Sequence, residues 1–555
     1  MSQRGDARPA VFLCLMGYRG AERVAEALLT QADIDLLTLE PTTELLNKHG
    51  LPSVSLYAYN PEDTVDNAKA EALRRIAGIN ASMQNGALRS RYPFLKRETV
   101  DQLEDTVRAA LERNLVAEIV AVESLYHAAQ HRALRLMVVS EDHSRDMRTL
   151  MHYAQHLGIP SLQVLHGVPV GPTVPTFPTA AAYHAVYSEY LRGVFVAHGV
   201  PGERVFVTGN PAWDRLAGPV PSGATRLVYP EMGLDAARPI VTYATTSDRH
   251  WCSVDQAFPS HAEDNARAVL DAYEVLAARH SDWQFMVRPR ASREDAAPYE
   301  AMVEALPAPV RERVWIDRLS PYHSLAVSDV VLCTQSNFGI EAILLGKPVI
   351  NVDLEAYGAA MHRVGLGPAF DNGDAVIHVA HRDEIVPAIE RALLDPESRA
   401  SLQARRRRSV RRFNGVNDGR ASERVADLIV RLIETEKGPV PHRPAPWGRE
   451  RVEKRRRALD FNSEGEGWFA EGDSVKASSC FLKAVQEDRA CAVAFNNLAV
   501  TFLAMDRPDE AWTYVTEALH LDPGLATARD NLRDIAAVLG REDEAEEMLA
   551  LFEGP

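Results

Sequence analysis

Several side chains stand where chemistry on a small polar substrate would need them. His166 follows the apolar run Ser161–Leu165 and precedes Gly167. A strand end thus delivers an imidazole whose pKa suits a general base, or else a histidine hydrogen-bonded within its own loop. Asp142 and His143 follow the run Leu136–Val139 and face the same crevice. Either could orient His166 or bind an acceptor, and Asp142 could instead cap the next helix. Arg288-Pro289-Arg290 ends the run Trp283–Val287. Two guanidiniums at a strand end can bind a diphosphate in bidentate fashion; the alternative is a pair of surface arginines. Glu341 lies one turn into a short helix opened by Ser336 and Asn337. It could accept hydrogen bonds from two ribose hydroxyls, or merely complement the positive end of its own helix.

These residues need a parallel sheet to bring them together. Residues 330–353, VVLCTQSNFGIEAILLGKPVINVD, read as strand, tight loop, helix, stop and strand. The loop supplies Ser336 or Asn337 as N-cap. Gly346 ends the helix and Pro348 prevents its resumption. Free N–H groups at the helix start favour a phosphate, and loops at the carboxyl ends of parallel strands are where open α/β sheets bind ligands. A similar alternation begins at Val11–Met16, whose Gly17-Tyr18-Arg19-Gly20 turn is no dinucleotide fingerprint. It lines a cleft or is simply a tight turn. Residues 61–130 have helical spacing, and a second α/β half starts at Pro239–Ala244, closing on Thr245-Thr246-Ser247.

Three motifs carry a resemblance. The loop with Gly339, Glu341-Ala342 and Leu345-Gly346-Lys347-Pro348-Val349 resembles the nucleotide-binding segment of GT-B-fold enzymes. It is closest to UDP-N-acetylglucosamine 2-epimerases and to capsule and teichoic-acid glycosyltransferases. LQVLHGVPVGP, around His166, resembles the strand and HG loop of the teichoic-acid polymerases, and VTGNPAWDRL (207–216) resembles the segment closing the first half of the epimerases. The resemblance implies that Ser336 contacts phosphate, Glu341 holds the ribose and His166 is the base. It also implies that Thr245 and Thr246 reach the donor phosphates. Gly209 and Asn210 can give the positive φ that a hinge or phosphate-approaching turn needs. Arg290 stands where capsule transferases often carry a second histidine, and Leu165-His166-Gly167 stands where the epimerases have a glutamate-containing V-E-A-G-L-R loop.

Bulk properties narrow the class. A net charge of −16 argues against a nucleic-acid partner. The five cysteines form no CxxC pair and read as reduced thiols, with no metal site and no disulfide frame. No apolar run approaches the ~18 residues of a spanning helix, so the expectation is a cytoplasmic protein. The run Arg405–Arg412 (RRRRSVRR) is either a contact with an anionic inner-membrane surface or the solvated face of a helix.

Residues 437–460 are proline-rich and then basic, a linker. From Phe461 a 34-residue period sets Gly465, Ala499 and Arg533 in one position, Ala477, Ala511 and Ala545 in another, and Phe481, Val515 and Leu549 in a third. These match tetratricopeptide repeats. Their concave face, lined by Asn496, Asn497 and Thr501, suits a partner or an acceptor protein; the alternative is a cap or assembly module.

The expected fold is α/β of the GT-B type, two Rossmann-like domains (1–216 and 217–436) facing a cleft, followed by the linker and an all-α tetratricopeptide solenoid (461–555). The resemblance implies an inverting, metal-independent glycosyltransferase of bacterial surface-glycan synthesis or protein glycosylation. It takes a UDP- or CMP-type nucleotide sugar as substrate and needs no cofactor. His166 and Asp142 are catalytic, and Gly209, Asn210, Thr245, Thr246, Arg288, Arg290, Ser336, Asn337 and Glu341 bind the donor. The alternatives are a sugar-nucleotide 2-epimerase and a repeat scaffold carrying an inactive GT-B domain.

Overall fold

The computed structural model describes residues 8–552, apart from 16–19, 41, 85–95, 141–144, 166–178, 219–228, 230–232, 246–261, 290–295, 335, 355–369, 372, 436–445, 489–490 and 523–524. Two sheets form its framework. The first contains β1 (Pro9–Cys14), β2 (Asp35–Thr38), β3 (Val54–Ser55), β4 (Ala133–Val139), β5 (Ser161–Val164), β6 (Tyr183–Val186) and β7 (Val205–Val207), in the order β3-β2-β1-β4-β5-β6-β7. The second contains β8 (Ile240–Ala244), β9 (Gln284–Arg288), β10 (Val314–Ile316), β11 (Val330–Cys333), β12 (Val349–Val352) and β13 (Val376–Val379), in the order β10-β9-β8-β11-β12-β13.

The pairings are parallel, with Val330–Cys333 aligned on Val241–Ala244 and Val331–Cys333 on Val349–Asn351. β8, β9, β11 and β12 are buried along their whole length, as apolar runs covered on both faces must be. In each sheet the strand order reverses once, between β1 and β4 and between β8 and β11. Parallel pairing sets all carboxyl ends on one edge, and the reversal opens a crevice there.

By compactness the chain divides into a unit of residues 1–16, 29–162 and 429–555 and a unit of residues 17–28 and 163–428. The first sheet ends at Val207 and the second begins at Ile240, and the repeats belong to the same unit as β1–β4. Within that unit the helix Pro446–Ala470 packs on the turn Leu56–Tyr59, and the helix Glu542–Phe552 packs on Arg97–His131. The expected linker is helical from Pro446 onward, because a proline in the first turn of a helix forfeits no hydrogen bond.

Three helix pairs make up the repeats: Pro446–Ala470 with Ser474–Glu487, Ala492–Ala504 with Pro508–Leu521, and Ala526–Leu539 with Glu542–Phe552. The expected small and large positions, Ala477, Ala511 and Ala545 with Phe481, Val515 and Leu549, are all buried. A Cβ at Gly465 would come within 2.6 Å of the Phe481 ring, so the first repeat needs glycine there. Thr501 is fully buried and donates to the Asn497 carbonyl, which removes it from the concave lining. Asn497 donates to Asn462 and Glu466, and Asn531 donates to Asn496. No helix among the described residues is long and apolar enough to cross a membrane.

The arginine run lies on the helix Pro396–Asn414, and four of its six arginines are tied to the fold. Arg405 donates to the Asp374 carbonyl, Arg406 to those of Ile343 and Leu344, Arg408 pairs with Asp371, and Arg412 with Asp374. The Arg408 guanidinium holds the carboxyl of Asp371 down to about 2.

Candidate nucleotide-binding site

The carboxyl edge of the second sheet gathers Thr245 after β8, Arg288 at the end of β9, Asp317 after β10 and Ser336 after β11. Ser336 is the N-cap of the helix Asn337–Leu344, its hydroxyl accepting from Phe338 N at 3.2 Å, and Asn337 is the first helical residue. The helix stops as the glycine and proline signals predict. Gly346 has φ +77°, its N–H reaches the Ile343 carbonyl, and the Lys347 N–H reaches that of Ala342, the paired closure of a left-handed helix stop. The positive end of the helix dipole therefore faces the crevice at the β8/β11 reversal, where an anion is favoured.

A guanidinium is locked beside that helix start. Arg288 is buried, and its Nη1 donates to Asp317 Oδ2 at 2.9 Å, the Leu319 carbonyl at 2.8 Å and Ser324 Oγ at 2.6 Å. The other oxygen of Asp317 accepts from Leu319 N at 2.9 Å. The guanidinium carbon lies 5.3 Å from the centre of the Phe338 ring, in the first turn of the helix. Removing the Asp317 partner would leave a buried charge uncompensated, at a cost of about 3–5 kcal/mol. Thr245 joins the same edge, with its N–H and hydroxyl both directed at the Arg288 carbonyl. The Cys333 thiol beneath the loop is pushed up to about 12 by burial and is an inert core group.

Glu341 is 4% exposed, and its Oε1 accepts from Trp213 Nε1 at 3.2 Å. The tryptophan belongs to VTGNPAWDRL, whose geometry is set by hydrogen bonds to the end of the arginine helix and to the helix Ala421–Thr435. Gly209 has φ +81°, and a Cβ there would sit 3.1 Å from Ala421 Cβ. Asn210 has φ −98°, so the positive φ expected of the pair belongs to Gly209 alone. Asn210 caps the following turn through Ala212 N, and its own N–H donates to Asn414 Oδ1 at 2.8 Å. Asp214 accepts from Ala421 N, Ser422 N and Ser422 Oγ at 2.7–2.9 Å, capping the Ala421–Thr435 helix. Arg424 Nε reaches the Thr208 carbonyl at 2.7 Å. The segment is thus a brace: through Trp213 it holds Glu341, and through Asp214 it holds the chain beyond the second sheet.

Asp142, His166, Thr246 and Arg290 lie outside the described residues. The approach to His166 is defined, however. Leu165 N donates to the Ala185 carbonyl at 3.0 Å, and the Leu165 carbonyl accepts from Tyr187 Oη at 2.6 Å. Tyr187 packs on Trp213, with ring centres 5.1 Å apart. One buried path therefore runs from Glu341 through Trp213 and Tyr187 to the residue before His166. Sequence reasoning missed Trp213 and Tyr187, along with Asp317 and Ser324. A carboxylate closing Val314–Asp317, on the same edge as Arg288, was the available signal for Asp317.

No protein-family model matches the chain. A curated protein, the STIP1 homolog of Dictyostelium discoideum, is 30% identical over 96 residues, or 17% of this chain and 17% of that protein, and the match fits the C-terminal repeats. The chain thus spans about one sixth of that relative's length. Among solved structures, the UDP-GlcNAc 2-epimerase of Neisseria meningitidis is similar with TM-score 0.47 and 12% identity, over 76% of this chain and 100% of that one. The wall teichoic acid polymerase TagF gives 0.45 and 13%, over 77% and 89%. A putative UDP-N-acetylglucosamine 2-epimerase of Listeria monocytogenes gives 0.47 and 13%, over 78% and 98%. The fold assignment stands on the chain's own topology: two Rossmann-like parallel sheets followed by helical repeats.

Proposed function

We propose that the chain binds a nucleotide-activated sugar at the carboxyl edge of the second sheet and transfers the sugar with inversion, without a metal. The observation that carries this reading is the guanidinium of Arg288, fixed beside the start of the Asn337–Leu344 helix at the strand-order reversal. A fixed cation next to the positive end of a helix dipole stabilises a departing phosphate without rearranging during the reaction. Glu341 would take the ribose, and Ser336, Thr245, Thr246 and Arg290 the phosphates. Gly209 and Asn210 would act through the brace that orients Glu341. His166, assisted by Asp142, would remove the proton from the acceptor hydroxyl as its oxygen attacks the anomeric carbon. The sugar–phosphate bond breaks in the same step and its electrons leave on the nucleotide.

Titration of the full chain with UDP, CDP, CMP, GDP and dTDP tests the site. At least one nucleotide should bind saturably, and binding of none of them would leave a repeat scaffold as the better reading. With the acceptor, His166→Ala should cut turnover by roughly 10²–10⁴ while donor binding persists. Formation of the 2-epimer from UDP-N-acetylglucosamine by the wild type would replace transfer with epimerisation. The concave polar face of the repeats, with Asn497 and Glu466 partly accessible, is the proposed docking place for a protein or glycan acceptor.

A further inference from the structure

The amino edge of the second sheet, opposite the proposed nucleotide site, carries a cleft of about 750 Å³. Pro239, Asp329, Pro348 and Ala375 line it; they are the residues that precede β8, β11, β12 and β13. Its remaining walls come from the segment before β8, the carboxyl ends of the Asn337–Leu344 and Ile385–Leu394 helices, and the Pro396–Asn414 helix. Four cationic side chains, Arg238, Lys347, Arg399 and Arg406, face one carboxylate, Asp329. That carboxylate is occupied, since Asp329 Oδ2 accepts from Ile240 N at 2.9 Å, and Arg238 is paired with Asp235 at 3.0 Å.

Among the described residues the other three cations donate to main-chain carbonyls. Lys347 Nζ lies 3.4 Å from the Ala326 carbonyl, Arg399 donates to that of Leu393, and Arg406 to those of Ile343 and Leu344. Among the described residues no carboxylate is within ion-pair distance of any of them. Burial pushes the Lys347 ammonium below its ordinary value, with the nearby Asp329 carboxylate acting the other way, so the fold holds a cation there at a cost that its one neighbouring carboxylate only partly offsets. A concave, singly signed surface concentrates counter-charge, and the volume lies in the range of small-molecule sites.

We propose that this cleft binds a compact polyanion, of pyrophosphate or tricarboxylate chemistry, between Lys347, Arg399 and Arg406. The site stands apart from the nucleotide reading and survives its failure.

Calorimetric titration of the full chain with inorganic pyrophosphate and, separately, with citrate, at constant ionic strength, tests the site and distinguishes the two chemistries. One of them should bind with one-to-one stoichiometry. Lys347→Gln and Gln403→Glu should each weaken that binding at least ten-fold, roughly the scale of one lost or opposed charge contact. Gln403 is an exposed residue of the lining, so its variant keeps the fold and decides the matter if the lysine variant does not. Ser336→Ala, on the opposite edge, should leave the affinity unchanged. Three results each overturn the site: no saturable binding of either anion, wild-type affinity in a folded Gln403→Glu, or loss of binding in Ser336→Ala.

Discussion

Trp213→Phe isolates the contact that joins the brace to the proposed ribose ligand. The indole and the Glu341 carboxylate are 2% and 4% exposed, and their hydrogen bond is 3.2 Å long. A benzyl side chain keeps the packing on Tyr187 but removes the only N–H of the ring. A hydrogen bond to a charged group contributes about 1.5–3 kcal/mol. The smaller ring adds a cavity cost of about 1 kcal/mol. Trp213→Phe should therefore lower the unfolding free energy of the residue 163–428 unit by about 2–4 kcal/mol. A double-mutant cycle with Glu341→Ala separates the contact from the cavity, and the coupling should be about 1–3 kcal/mol. Urea denaturation followed by far-UV circular dichroism supplies the four free energies. If Glu341 also holds a ribose, Trp213→Phe weakens nucleotide binding while the protein stays folded. A coupling within about 0.3 kcal/mol of zero would refute the idea that Trp213 positions Glu341.

Three further outcomes follow from the described contacts. Asp214→Ala removes the acceptor for two N–H groups and a hydroxyl at the start of the Ala421–Thr435 helix. It should destabilise the protein by about 1–2 kcal/mol, with Asp214→Asn recovering part of the loss in the same denaturation assay. His184 is pushed down to about 4 by burial, with a hydrogen bond to the Ala181 backbone acting the other way, and its Nδ1 lies 3.0 Å from Gln163. The unfolded chain, near 6.5, takes up the proton first, so stability is lost as pH falls from about 6.5 to 4, by at most about 3 kcal/mol. His184→Gln should flatten that slope in thermal melts across the window, and an identical slope would clear His184 of the effect. A chain ending at Glu436 should keep nucleotide binding, because the site lies within residues 163–428. It should also melt earlier in the β1–β4 unit, since Leu56 and Tyr59 are buried in a turn against which the Pro446–Ala470 helix packs; an unchanged melt would restore a freely linked repeat module.

Local signals were legible where one short stretch satisfied its own backbone. Ser336, Gly346 and Pro348 bracket a helix without help from elsewhere, and the 34-residue period reports nearest-neighbour packing between repeats. Long-range partners were hidden. Nothing in Arg288-Pro289-Arg290 shows that the Nη1 of Arg288 meets Asp317 and Ser324, which lie 29 and 36 residues away. Likewise, RRRRSVRR reads as a charged surface until Asp371, Asp374 and the carbonyls of Ile343 and Leu344 are folded against it. The proline-rich stretch before residue 460 misled for a related reason. A proline in the first turn of a helix is indistinguishable by composition from one in a linker.

The brace carries a broader consequence for motif reading. Gly209, Asn210 and Asp214 each have a structural employment that requires the residue type found: a positive φ with no room for a Cβ, a short side chain capping Ala212, and a carboxylate capping Ala421 and Ser422. The pattern VTGNPAWDRL thus has a structural ground of its own. The proposed chemistry rests on groups at the sheet edge. Among these, Arg288 is held by a carboxylate, a hydroxyl and a carbonyl, more anchors than a surface arginine needs. A guanidinium fixed so firmly loses little conformational entropy when an anion arrives, so most of its interaction energy would remain available to the departing phosphate of the proposed transfer.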